Sequence, residues 1–428
     1  MNVKSGEALA DAKVDGPLAD IFELQDRVVA EFSKELGIGT TPILRSGHSR
    51  ETPSLQAYRA FTEGWLQLET LDVREIPDAI ANFERAIAID SRYALAFTGL
   101  ASAQFAAYEA TRSENVPAEE LLRSAIAHAR RAVVLEDTLA EAHATLAFVL
   151  VSAWETAEAL RSARRAVELE PTNWRHLFRL GCASWGDERL RAGVNTLALY
   201  PDFAFAHFQT AMVHVARGHL GDAEIVLRQG AAVQDRQIGR GDRYPALGLH
   251  WLLGLVRLAQ DDVEESLKEF DRERELAEPH RLYGREYEMN AFFARGACLL
   301  RVGRNEEASE CFRRALALYP DHAQSTLGLS LALRALGSDE AADATWRQGH
   351  AVLNALTVTR PIEAAIVRSQ MLTAEGKTDE AGAALCRVLD DAPPGFAAWT
   401  VPIEPFLLQL TGTKAFAPIL ARLIERAQ

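Results

Sequence analysis

The stretch MNAFFARGACLLRVGRNEEASECFRRALALYPDH, residues 289–322, decides the fold of this chain. It contains two runs of helical periodicity, separated by a turn at 303–305. Pro320 ends the second run, because proline cannot donate a hydrogen bond to a helix. Gly296 is small where two helix backbones must approach, and Phe312 is large enough to fill the gap to the next pair. The stretch therefore predicts one pair of antiparallel helices.

The same pattern recurs along the chain and predicts about nine successive helix pairs in residues 55–394. The period of 34 residues and the order of small, aromatic and proline residues resemble the tetratricopeptide repeat (TPR). The resemblance implies an all-α fold, a right-handed α-α superhelical solenoid of TPR helix pairs. Glycines recur at the turns between paired helices, at Gly218, Gly303, Gly337 and Gly376.

Several pairs depart from the regular length. The turn of pair one, at 71–77, carries three extra residues, and the loop of pair two, at 108–120, is longer by about a dozen. A glycine-rich loop at 239–242 interrupts the array before pair six, whereas pair four, at 174–203, is four residues short.

The segments that flank the array have other patterns. Residues 1–17 are polar without periodicity, which predicts a disordered lead. Residues 18–37 have an apolar stripe at helical spacing and predict an amphipathic helix that docks on pair one. A Gly/Pro/Ser/Thr linker follows at 38–54. Residues 395–428 predict closing helices that cover the exposed end of the array.

Composition excludes several classes of partner. The 428 residues carry a formal net charge of −14, from 46 basic and 60 acidic residues, which disfavours nucleic acid and anionic membranes as partners. The four cysteines have no metal-binding spacing and are too few for a disulfide framework. No apolar run approaches the roughly 20 residues of a membrane span, so we expect a soluble, cytoplasmic protein.

Three short segments give a second, more specific resemblance. They are GPLADIFELQDRVVAEFSKELGI at 16–38, AIANFERAIAIDSRYALAFTGLASA at 79–103 and IEPFLLQLTGTKAFAPILARL at 403–423. Together they resemble the TPR region of bacterial regulators that carry a TolB-like amino-terminal domain, of which only the last helix, at 18–37, is matched here. In such regulators the array often follows a winged-helix DNA-binding domain or a nucleotide cyclase domain. The resemblance implies a role as a regulatory or sensory module.

Features that suggest chemistry have simpler explanations. Residues 376–378, Gly-Lys-Thr, resemble the end of a phosphate-binding loop, but Met371 stands where that motif needs glycine, so we interpret them as a turn. His207, His214 and His219 suggest a metal cluster, yet no third ligand of suitable spacing accompanies the pair that shares a helix face. We interpret them as packing histidines. Without a catalytic motif either, we expect no enzyme activity, no metal and no cofactor.

The concave surface is the candidate functional site. The resemblance implies that the first helix of each pair lines this surface, and aromatic residues are frequent at its inward positions. The sequence analysis thus predicts a partner-binding groove formed by Tyr58, Phe61, Trp65, Phe105, Phe148, Phe178, Trp185, Phe205, Phe208, Met212, Trp251 and Phe293. The Lys and Asn with which chaperone-binding TPR proteins hold a terminal carboxylate are not found at these positions.

Two interpretations of the aromatic residues stay open. They form an open groove that a partner fills, since large exposed apolar patches are unusual on a free protein. Alternatively, they only pack helix on helix inside a tightly wound superhelix. The first interpretation predicts a non-enzymatic scaffold that binds a protein or peptide of unknown identity. The regulatory module is the alternative function, and a small-ligand-binding or enzymatic role comes third.

Overall fold

The computed structural model describes residues 52–114, 116–237 and 244–428. Within these ranges the array consists of antiparallel helix pairs, each packed on the next. The pairs are α1 (Leu55–Leu68) with α2 (Ile76–Ile89), α3 (Ala94–Ser113) with α4 (Glu119–Leu135), α5 (Ala140–Ser152) with α6 (Thr156–Leu169), α7 (Trp174–Ala183) with α8 (Gly186–Leu199), α9 (Ala204–Ala216) with α10 (Leu220–Arg236), α11 (Leu249–Ala259) with α12 (Val263–Leu276), α13 (Gly284–Arg301) with α14 (Asn305–Leu318), α15 (Ala323–Ala335) with α16 (Asp339–Thr359), and α17 (Pro361–Ala374) with α18 (Thr378–Asp391). The predicted all-α solenoid is confirmed. The predicted lead, the amphipathic helix at 18–37 and most of the linker lie outside the described residues.

Phe312 shows why neighbouring pairs fit together. Its ring is fully buried between α13 and α15, next to Gly296 and Gly328. A Cβ atom at Gly296 would lie 2.8 Å from the ring, and one at Gly328 would overlap it. Phe83 occupies the same place between Gly64 and Gly99 of the first two pairs. The aromatic residue therefore requires a glycine on each side, because only a bare backbone leaves room for it.

The turns between paired helices need a left-handed residue. The four predicted turn glycines have φ between +71° and +78°, a conformation that glycine adopts without strain. Pairs one, three and six place Leu71, Trp154 and Asp261 at positive φ instead, at +52°, +61° and +70°. A tryptophan in this conformation is unusual and suggests that its side chain makes a contact worth the strain.

The array closes on itself where pairs one and two meet pairs six and seven. The backbone N–H of Val73 donates to the carbonyl of His280 (2.9 Å), and that of Leu282 donates to the carbonyl of Leu71 (2.8 Å). Asp72 and Arg281 form an isolated antiparallel bridge between these two bonds. We call this junction the seam. The irregular loop of pair one therefore forms one side of the seam.

Residues 395–428, the closing segment, also differ from the expected pair of covering helices. Two 3₁₀ turns, Val401–Ile403 and Pro405–Leu407, come first, because prolines at 402 and 405 interrupt any longer helix. The short α19 (Leu408–Thr411) and then α20 (Ala417–Arg426) follow. The segment turns back from the end of the array and runs along its inner surface, against the first helices of pairs five to nine.

Candidate partner-binding groove

The first part of the closing segment lies against pairs three to five. Phe396 stacks on Trp154 with ring centroids 5.9 Å apart, and its ring lies 6.2 Å from that of Trp185. Trp399 packs edge-on against Phe208, 6.3 Å away. Trp154, at positive φ in the turn of pair three, thus contacts the closing segment, although the residue stays 58% exposed.

Arg189 supports this end of the groove from within pair four. Its side chain is 3% exposed and donates to the carbonyl oxygens of Gly181 (2.7 Å) and Ser184 (3.0 Å), which the shortened α7 leaves without helical partners. Its guanidinium group lies 4.7 Å from the ring of Trp185 and 5.6 Å from that of Phe396. Burial lowers the pKa of Arg189 to about 10, so the group remains a cation at neutral pH. The end of α7 and Arg189 therefore form one wall of the groove, against which Trp185 and Phe396 lie.

The middle of the closing segment inserts apolar side chains between the first helices of later pairs. Ile403 is fully buried in a cluster with Leu252 and Leu255 of α11. Phe406 packs edge-on against Phe293, with centroids 5.8 Å apart, and lies 6.3 Å from Phe312. The groove therefore offers two apolar subsites, three residues apart along the chain that fills it.

Glu404 lies between these two apolar subsites. Its carboxylate accepts hydrogen bonds from Gln324 Nε2 (3.0 Å), Gln370 Nε2 (3.1 Å) and Thr400 Oγ1 (2.6 Å). Burial raises the pKa of Glu404, although these three hydrogen bonds act in the opposite direction, and nearby Glu363 raises it further. A partly buried carboxylate is thus held by neutral donors, and among the described residues none of its hydrogen-bond partners is an arginine or lysine.

The last helix fixes the end of the closing segment. In α20, Ile419 and Leu423 are buried against α18 in a cluster that includes Leu385. Arg217, at the end of α9, donates from Nε to the carbonyl of Ala427 (3.0 Å). The closing segment therefore contacts the array along the groove and also at the carboxyl-terminal end of the segment.

The structure separates the twelve predicted groove residues into two groups. Those of the early pairs pack mainly with one another or with their own pair: Phe61 lies 5.8 Å from Phe83, and Phe105 lies 5.0 Å from Phe148. Tyr58 and Trp65 belong to the same end of the array. Of those in pairs four to seven, Trp185, Phe208 and Phe293 contact aromatic rings of the closing segment. Phe178 packs on Phe205, Trp251 packs on Tyr287, and Met212 lies against Arg189.

Sequence reasoning missed the residues that occupy the groove. The sequence pattern predicts covering helices for the stretch that holds Trp399 and Phe406, and it assigns no role to Glu404 or to its glutamine partners. A signal was present: the prolines at 402 and 405 are incompatible with a regular amphipathic helix across WTVPIEPF. Such a stretch is apolar but cannot form a regular helix, which indicates that it packs as an irregular segment against another part of the chain.

A polar cluster lies behind the seam, next to a small cavity. Arg112 Nη2 is 2.9 Å from Glu109 and 3.3 Å from Glu286, and Glu109 also accepts a hydrogen bond from the hydroxyl of Tyr283 (3.0 Å). Burial would lower the pKa of Arg112, but the two carboxylates raise it above its ordinary value. Burial raises the pKa of Glu286 in spite of Arg112. The cavity, of about 280 Å³, is also lined by Phe205.

The histidines considered as metal ligands are only partly brought together. His214 and His219 lie near Asp222, with one potential ligand atom from each within 4.8 Å of the others. His219 and Asp222 are more than half exposed and lie 3.8 Å apart as an ion pair. His207 is buried elsewhere, against Gly230. The group could hold a metal ion, but an exposed ion pair accounts for the arrangement equally well.

Comparison with known proteins agrees with the fold. Residues 246–321 match the family model for the tetratricopeptide repeat. A chain of the APC/C hetero-tetramer Cut9–Hcn1 superimposes with a TM-score of 0.50 at 12% identity, over 78% of this chain and 60% of that one. A tetratricopeptide repeat protein from Parabacteroides merdae gives 0.42 at 13% identity, over 65% of this chain and 100% of that one. No curated protein matches the sequence.

The family match over residues 246–321, the superposition on the Cut9–Hcn1 chain and the helix pairs define the fold as a solenoid of tetratricopeptide repeats, the type of fold that serves as a scaffold for protein–protein interaction. At 12% identity the similarity to Cut9–Hcn1 shows the fold alone. Among the described helices none is long and apolar enough to cross a membrane. The resemblance to regulators with a TolB-like domain stays a prediction, because its amino-terminal segment lies outside the described residues.

Proposed function

We propose that this chain is a non-enzymatic scaffold whose groove binds a segment of a partner protein, and that the closing segment occupies the same groove until the partner displaces it. The observation that carries the proposal is the placing of Trp399, Ile403 and Phe406. They lie on the first helices of pairs five to seven, the surface on which solenoids of this fold receive partners.

The form of the closing segment also supports exchange with a partner. It is joined to α18 by Ala392-Pro393-Pro394-Gly395, and its groove contacts come from a few large side chains between irregular turns. A segment tethered by a short linker has an effective concentration in the millimolar range. A free peptide of the same sequence must therefore reach millimolar concentration to compete, whereas a physiological partner must bind more tightly or make additional contacts.

The test uses a fluorescent peptide with the sequence of residues 395–410 and the full chain carrying Trp399→Ala. Loss of an aromatic anchor at an interface costs about 2 kcal/mol or more, so the internal segment should compete about 30-fold less well. Fluorescence anisotropy should show that the peptide binds the variant at correspondingly lower concentration than the unaltered chain.

Trp174→Ala is the matched control, because Trp174 lies on α7 and its ring packs on Tyr200, Phe203 and Tyr244, with centroids 4.9, 4.7 and 6.0 Å away. This variant should bind the peptide no better than the unaltered chain. If the Trp399→Ala chain is folded by circular dichroism but takes up no peptide at millimolar concentration, the closing segment is a permanent part of the core and the proposed function is wrong.

A further inference from the structure

The groove contains a subsite that selects one side chain of its occupant. We propose that Gln324 and Gln370 form a subsite for a side chain of glutamate length that ends in a carboxyl or carboxamide group. The partner segment would carry this residue after an aliphatic residue and before proline and an aromatic residue. This inference rests on the proposed function and specifies which partners the groove accepts.

The length of the side chain is set by the geometry around Glu404. Ile403 on one side is buried against α11, and Phe406 on the other side is held by Phe293, so the backbone between them has little freedom to shift. From this backbone the carboxylate reaches Gln324 on α15 and Gln370 on α17 at ordinary hydrogen-bond distances. An aspartate is shorter by one methylene group and would leave both amides without an acceptor.

The donors are neutral, and this determines the chemical selectivity. An arginine or lysine in the subsite would favour a charged carboxylate, but the amide groups of two glutamines donate equally to a carboxamide oxygen. Gln370 is fully buried, and its Oε1 has no hydrogen-bond partner among the described residues. A glutamine in the occupant could donate to this atom, which a charged glutamate cannot do. The subsite therefore recognises shape and an acceptor atom more than it recognises charge.

The position of the subsite indicates that the recognised stretch can lie within the partner chain and need not be at its terminus. The chain continues from Glu404 through Pro405 into α19 and α20, so the groove is open at both ends of the recognised stretch. Glu404 has φ −66° and ψ 120°, the extended conformation that a following proline favours. The partner can therefore present the stretch from a loop or a linker and does not need a chain terminus.

The experiment compares peptides in trans, so that no substitution affects the folding of the protein. The full chain with Trp399→Ala is titrated with the 395–410 peptide and with versions carrying Glu404→Gln, Glu404→Asp or Glu404→Ala. We expect the Gln peptide to bind within about threefold of the parent. The Asp and Ala peptides should bind at least tenfold more weakly, because the buried amide of Gln370 and the partly buried amide of Gln324 both lose their acceptor.

A second pair of variants tests the protein side. Gln370→Met in the Trp399→Ala chain should weaken binding of the parent peptide. It should change binding of the Ala peptide little, because that peptide has no carboxylate to accept a hydrogen bond from Gln370. Gln409→Ala in the peptide is the control, because Gln409 is exposed. Equal binding by all peptides would overturn the subsite while leaving the proposed function intact. Absence of binding by any peptide would instead contradict the proposed function.

Discussion

Arg112 is the residue on which closure of the seam should depend most. We predict that Arg112→Met opens the seam by removing the cation that lies between the carboxylates of Glu109 and Glu286. Removing one partner of a buried ion pair costs about 3–5 kcal/mol, whereas an exposed pair contributes at most about 1 kcal/mol. The side chain of Arg112 is 35% exposed and that of Glu109 only 8%, so the cost lies between these limits. We expect about 2–3 kcal/mol.

Hydrogen exchange measures this cost directly. The amides of Val73 and Leu282 donate across the seam and are exposed to solvent only when it opens. Their exchange should accelerate about 30- to 150-fold in Arg112→Met, which corresponds to 2–3 kcal/mol. Amides of α15 should keep their rates. Arg123→Met is the matched control, because Arg123 pairs with Glu120 on an exposed face and its loss should change neither set.

A double variant tests the electrostatic cause. Glu286→Gln added to Arg112→Met removes one of the two unpaired charges and should restore at least 1 kcal/mol of the lost protection. Acidification should act in the same direction in Arg112→Met, because burial raises the pKa of Glu286 and a protonated Glu286 no longer repels Glu109. Unchanged exchange at Val73 and Leu282 in the single variant would refute the reasoning, since the ion cluster would then contribute nothing to closure.

Three further predictions concern the array and the closing segment. Phe312→Ala should lower the free energy of unfolding by about 3–5 kcal/mol in urea titrations, because a fully buried ring leaves a cavity between two pairs; a loss below 1 kcal/mol would contradict this packing. Trp154→Gly should relieve the left-handed strain at the turn of pair three yet accelerate hydrogen exchange around Phe396, and unchanged exchange there would show that the stacking is incidental. Burial raises the pKa of Glu404, so docking of the closing segment should be strongest below the ordinary pKa of glutamate and weaken as pH rises through the raised value. Tryptophan fluorescence should detect this change in the unaltered chain, and Glu404→Gln should abolish it.

The helix pairs could be predicted from sequence because their rules are local. Phe312 and Gly296 are 16 residues apart, and Gly303 marks the turn between their helices, so one repeat contains the information for its own packing. The same holds for Gly376-Lys377-Thr378, which the structure places at the turn before α18, with Gly376 at φ +78°. Local rules of this kind recur in each pair and reinforce one another.

The seam could not be predicted, because it depends on the sum of many small rotations between neighbouring pairs. Nothing near Leu71 or Leu282 in the sequence shows that these residues meet. The position of the closing segment could not be predicted for a similar reason. Trp399 and Phe406 are apolar, and apolar residues are equally compatible with covering the end of the array and with lying in the groove. Even the inward aromatic residues were ambiguous, since Phe61 packs on its own pair whereas Phe293 receives Phe406.

The seam has a consequence for the order of events during synthesis. Arg281 donates to the carbonyl of Thr70, 211 residues earlier in the chain. At about 5–20 residues per second, a ribosome needs roughly 10–40 s to make the residues between them. During this interval the first pairs are complete but have no partner on the other side of the seam, and the inner surface still lacks its closing segment. The nascent chain is therefore open to other proteins, chaperones among them, at the surfaces that the finished molecule covers last.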